Sequence, residues 1–76
     1  MKLERKKQIS PIVIDVGYKI KEIILEKNLR QRDVAHDAGL DVENLRKYIK
    51  GSQEMKISTL IKIVKALDVN VNQLFE

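Results

Sequence analysis

Ala35, Gly39 and Leu45 stand with three residues between the first pair and five between the second, inside the stretch "DVAHDAGLDVENLRKYIKG" from Asp33 to Gly51. This spacing constrains the fold more than any other feature of the chain. Glycine takes the left-handed backbone conformation without steric cost, so Gly39 can end one helix and turn the chain tightly into the next. Ala35 lets the two helix axes approach, because a larger side chain there would push them apart. Leu45 lies where the second helix of the pair crosses the first and fills the space beneath it.

The rest of the chain follows the same helical period. Ser10 followed by Pro11 is a helix-start signal, and Ile12, Val13, Val16, Ile20, Ile23 and Ile24 then recur at helical spacing. A short strand over "IVIDVG" competes with this reading, since β-branched residues followed by glycine favour one. A lone strand has nothing to pair with, so a helix is preferred, starting between Pro11 and Val16. Asn28 can take the left-handed conformation that ends it. A second helix is expected from about Gln31 to Ala38, and a third from Asp41 to Gly51. Ile57, Leu60, Ile61, Val64 and Leu67 set a fourth from Ile57 to Leu67. Asn70 with Gln73 three residues on, and Val69 placed to pack on Leu74, predict a fifth, very short helix near Val71 to Phe75. The chain therefore divides into a basic arm, residues 1–9, and an all-α, compact five-helix domain, residues 10–76.

A chain of 76 residues with a net charge of +4 and no cysteine excludes several classes. Such a domain buries only roughly 60% of its unfolded surface, which leaves no room for a deep catalytic cleft. No nucleophile and base, no metal set and no phosphate-cradling glycine loop can be assembled, so neither enzymatic activity nor a cofactor is expected. His36, the only histidine, has no second ligand near it in sequence and is expected to face solvent. The apolar run after the basic start is cut by Asp15 and Lys19 and reads as neither a signal peptide nor a membrane span. The lack of cysteine fits a cytoplasmic setting, and the basic balance makes nucleic acid the commonest partner class. Lys2, Arg5, Lys6 and Lys7 in the arm fit either a solubilising tail or an arm reaching round a duplex.

Drawn at 100° per residue, the third helix puts Leu45, Tyr48 and Ile49 on one side and Glu43, Arg46, Lys47 and Lys50 on the other. Tyr48 is thus expected in the core rather than stacked on a base. Asp41 is the expected N-cap, its carboxylate turned back onto the first free amides. Glu43 lies on the outward face near the N-terminal end, where a carboxylate can accept a hydrogen bond from a cytosine amino group. The cations beside it supply attraction to phosphate.

Through "LRQRDVAHDAGL", "NLRKYIKG" and "LIKIVKALDVNVNQLF", from about Ile20 to Phe75, the chain resembles the lambda-repressor-like (Xre/Cro-type) helix-turn-helix DNA-binding domains. The resemblance implies a five-helix domain that binds double-stranded operator DNA, usually as a dimer, with the third helix in the major groove. By position in that family, Val42, Glu43, Asn44 and Lys47 are the expected base readers, with Val42 toward the core edge. Gln31 and Arg32, with Arg46, Lys50, Ser52 and Gln53, are the expected holders of the sugar-phosphate backbone. The sequence departs from the family pattern at Arg30 and Lys56, where a capping serine or threonine is usual, at Met55, where proline is common, and at Ile49, where glutamate is frequent.

Val69, Val71, Leu74 and Phe75 are more apolar residues than one short terminal helix can hide, and they predict a two-fold contact between two copies. The expected function is a transcriptional regulator, a repressor that binds an inverted-repeat operator as a homodimer. The alternative is a protein-interaction module, such as an antitoxin or accessory subunit, in which the same scaffold presents an apolar helix to a partner. No small-molecule ligand is evident.

Overall fold

The computed structural model describes residues 10–75; the basic arm, residues 1–9, lies outside them. Four α-helices and a closing 3-10 turn follow in order: α1 (Pro11–Glu26), α2 (Gln31–Asp37), α3 (Val42–Lys50), α4 (Ile57–Leu67) and the turn Val71–Leu74. There is no strand among the described residues, and α1 begins at Pro11. The expected fifth helix is a single 3-10 turn, because its amides reach back three residues instead of four: Gln73 N–H donates to Asn70 O and Phe75 N–H to Asn72 O, each at 3.0 Å. Gln73 also accepts the Asn70 N–H on its side-chain oxygen at 3.2 Å, which closes the start of this turn.

All four helices end in one way. A left-handed residue follows each: Asn28 (φ 59°), Gly39 (φ 71°), Gly51 (φ 72°) and Asp68 (φ 58°). The next amide then reaches back five residues, from Leu29 to Ile24 O, Leu40 to Ala35 O, Ser52 to Lys47 O and Val69 to Val64 O. This double reversal satisfies carbonyls that a helix end leaves open. It also turns back an apolar residue at three of the stops: Leu40 and Val69 pack against the core, and Leu29 stays 38% exposed. Ser52 is the exception, and its hydroxyl adds a second bond to Lys47 O at 3.2 Å. At α4 a distant side chain helps: Lys27 Nζ donates to Leu67 O at 2.9 Å and Asp68 O at 3.3 Å. A cation at a helix C-terminus is favoured by the helix dipole.

Helix starts are plainer. Ser10, Arg30, Asp41 and Lys56 occupy the N-cap positions with extended backbone, and none of their side chains makes a cap hydrogen bond. The expected Asp41 carboxylate cap is therefore absent. An exposed carboxylate is already well solvated, and a cap bond is worth only about 1 kcal/mol, so α3 begins without it.

Ile20, Leu45, Ile63, Leu67 and Val34 are the largest fully buried side chains. Here α3 packs on α1 and α2, α4 packs on α2, and the 3-10 turn returns to α1. Ala35 is 1% and Leu45 0% exposed, as a close crossing of α2 and α3 requires. A second close approach was not foreseen. A Cβ on Gly17 would lie 2.3 Å from Tyr48 O and 2.8 Å from Ile49 O, so the backbone of α1 rests directly on the last turn of α3.

Two glycine substitutions separate contact from conformation. Gly17→Ala gains about 1 kcal/mol of helix propensity but forces a methyl group into backbone oxygens, for an expected net loss on the order of 1–2 kcal/mol. Gly39→Ala meets nothing within 4 Å and should cost only the left-handed strain, about 1 kcal/mol. Urea denaturation midpoints measure both; a Gly17→Ala protein as stable as the parent would mean that α1 and α3 lie farther apart.

Candidate nucleic-acid interface

The turn between α2 and α3 and the seat on α1 hold α3 with one face inward and one outward. Leu45 and Tyr48 are buried and Ile49 is half-buried, whereas Glu43, Arg46, Lys47 and Lys50 are exposed. At 9% exposure Tyr48 belongs to the core cluster, which removes it from the surface a base could stack on. The outward strip thus carries three cations and one carboxylate on nine residues of helix. This is an electrostatic footprint for a polyanion, with the acidic residue confined to the first turn, where the helix dipole favours it.

The expected site residues do not all stand alike. Asn44 and Val42 are half-buried, and Val42 packs against the core cluster, so only part of its side chain remains for a thymine methyl. Lys47 and Lys50 extend from consecutive turns of α3 and are exposed. Arg32 on α2 and Gln53 in the loop after α3 are exposed as well. The Ser52 hydroxyl is occupied with Lys47 O, so it fastens the end of α3 whatever else it touches. Three candidates are joined: Arg46 Nε donates to Gln31 Oε1 at 3.3 Å, and Arg46 Nη1 donates to Glu43 Oε2 at 3.3 Å. That chain ties the first residue of α2 to the first turn of α3 across the helix-turn-helix.

At the far end of the chain, Leu74 is 3% exposed. This corrects its expected place in a contact between copies, because the 3-10 turn folds Leu74 back onto α1. Val69 and Val71 are half-buried against the core, and Phe75 is 53% exposed. Ile12, Ile14 and Tyr18 of α1 line a depression beside Phe75 and are themselves exposed. His36 is exposed on α2. Among the described residues no group of three metal-ligating side chains is found, and no helix is long and apolar enough to cross a membrane.

Sequence reasoning missed Gly17 as a residue that positions the interface. The signal was present: a glycine inside a helical run costs about 1 kcal/mol relative to alanine, which flags a close backbone approach. Lys27 carried no such signal, since its partners lie 40 and 41 residues away.

A short helix crossed over a second one, with its polar face outward and cationic, defines a helix-turn-helix DNA-binding domain. Residues 19–76 match the Cro/C1-type HTH DNA-binding domain, and the chain belongs to that family. The restriction-modification controller protein C.Esp1396I, solved as a tetramer in complex with its natural 35 base-pair operator, is 32% identical, with a TM-score of 0.80 over 87% of this chain and 87% of that one. The controller protein C.AhdI from Aeromonas hydrophila is 25% identical, with a TM-score of 0.79 over 83% of this chain and 96% of that one. The clp gene regulator ClgR from C. glutamicum shares the fold, with a TM-score of 0.83 at 17% identity over 87% of this chain and 86% of that one. No curated protein matches the sequence.

The two lysines of α3 should separate by role. Lys47→Ala should reduce discrimination at one base pair by about 1–3 kcal/mol, whereas Lys50→Ala should weaken all duplexes alike and lower the salt slope by about 1. Binding to matched and mismatched duplexes over a salt series measures this, and equal behaviour of both variants would contradict the assignment.

Proposed function

We propose that the protein is a sequence-specific, double-stranded DNA-binding transcriptional regulator, a repressor that acts as a homodimer on an inverted-repeat operator. The observation that carries this reading is the exposed polar face of α3, with Arg46, Lys47 and Lys50 outward, on a helix held by the turn at Gly39 and by the backbone contact at Gly17. The first turn of α3 enters the major groove, where Val42, Glu43, Asn44 and Lys47 meet base edges. Gln31, Arg32, Lys50, Ser52 and Gln53 hold the sugar-phosphate backbone and fix the register, and Arg46 stands beside them on the same face. The operator-bound C.Esp1396I tetramer supports the choice of duplex DNA as partner.

A homodimer uses the exposed Phe75, with the outer parts of Val69 and Val71, as its two-fold contact. Two copies then present α3 to successive major grooves about 34–36 Å apart, and the operator mirrors their symmetry. The exposed apolar residues Ile12, Ile14 and Tyr18 are what favours the second reading, a module that binds a partner protein.

Selection of bound sequences from a random duplex pool should return an inverted repeat, bound with a logarithmic salt slope of about −0.9 per phosphate neutralised. Absence of binding to any duplex at low salt would refute the DNA reading. Phe75→Ser should leave the fold intact, shift sedimentation toward the monomer and weaken binding to the full repeat more than to a half-site. A wild-type protein that sediments as a monomer even on DNA, with a selected site lacking two-fold symmetry, would refute the homodimer.

A further inference from the structure

Arg46 lies on the outward strip, yet its guanidinium is engaged along the protein surface. Nε donates across the turn to Gln31 Oε1, and Nη1 donates to Glu43 Oε2 one turn earlier on α3, each at 3.3 Å. A guanidinium is planar and its donors point in fixed directions, so acceptors on two different helices define its plane. The side chains of Arg46 and Glu43 are 49% and 73% exposed. A pair this exposed adds little to stability, so its consequence is orientation.

Each acceptor is left with one kind of free group. The Gln31 amide has one oxygen and one amino group; with the oxygen turned to Arg46, the amino donors remain, and donors are what a phosphate oxygen needs. Glu43 with Oε2 occupied keeps Oε1 as an acceptor, which suits a cytosine amino group. The positive charge of Arg46 is meanwhile offset by the carboxylate beside it, so long-range attraction falls to Lys47, Lys50 and Arg32.

We infer that Arg46 is a positioning residue for recognition: it turns the Gln31 amino group toward phosphate and the free Glu43 oxygen toward a base edge, and does not itself clamp a phosphate. This rests on the DNA-binding function proposed above.

The test compares the full chain with Arg46→Lys, Arg46→Met, Glu43→Gln and the double variant Arg46→Lys with Glu43→Gln, using base-preference profiles from a random duplex pool and the salt dependence of binding. Arg46→Lys keeps the charge, but a single ammonium lacks the fixed fork that spans both acceptors. It should lose roughly tenfold in discrimination at the same base pair that Glu43→Gln alters, with the salt slope unchanged. Arg46→Met should change the profile at that base pair too, and the double variant should lose no more there than Glu43→Gln alone. If Arg46→Lys retains the wild-type profile while Arg46→Met weakens every duplex equally and lowers the salt slope by about 1, Arg46 is a phosphate clamp and only the positioning role falls. A profile untouched by all variants overturns it as well. Failure of the wild type to bind any duplex removes the DNA function and this inference together.

Discussion

The arrangement depends on the backbone of α1 touching the backbone of α3 at Gly17. A helix of nine residues is marginal in isolation, so the place of α3 is set by what it rests on. A Cβ on Gly51 would likewise meet Ile14 Cα at 2.9 Å, so two glycines, one on each side, bring α1 onto the last turn of α3. This seat grips the C-terminal end of α3, while Glu43 in its first turn stays exposed. The α2 crossing, through Ala35 and Leu45, fixes the rest. A side chain larger than hydrogen at Gly17 would tilt or displace the outward face, and that face is the one with chemistry to offer.

What the sequence made legible was the punctuation. Asn28, Gly39 and Gly51 were expected as stops and are left-handed, because glycine and asparagine are the residues that reach this conformation most cheaply. Asp68 does the same at the end of α4 and was not anticipated, since aspartate is a weaker signal and Lys27 reinforces the stop from another helix. The helical period located the inward face of α3, and Tyr48 lies in the core as the wheel of α3 indicated; in α4 it placed Val64 and Leu67 correctly, but Ile57 and Ile61 are exposed and Ile63, outside the expected set, is fully buried. Short-range capping was less legible. The Asp41 carboxylate makes no cap bond although residue type and position both suited one, and the fifth helix closed as a 3-10 turn. Leu74 shows how apolar excess can mislead: counting apolar residues near Phe75 did not reveal which of them the turn would bury.

In the candidate site, the wheel separates inward from outward residues but says nothing of bonds between helices. Glu43 and Arg46 are neighbours on α3 by their spacing, so their pairing follows from helix geometry. The Gln31 link spans 15 residues and exists only because the turn at Gly39 folds the start of α2 beside α3. The same fold that exposes the cationic strip therefore partly neutralises and orients it. Lys47 and Lys50 are left as the outward charges of α3 with no paired carboxylate among the described contacts.

Backbone amide chemical-shift mapping during titration with a selected duplex tests most directly whether the outward face of α3 is the surface that meets DNA. The largest changes should fall on Glu43, Asn44, Lys47 and Lys50 and on Gln31 and Arg32 at the start of α2, while Ile12 and Tyr18, exposed on α1, stay near their free positions. Changes concentrated on Ile12, Ile14, Tyr18 and Phe75, with α3 unaltered, would contradict it.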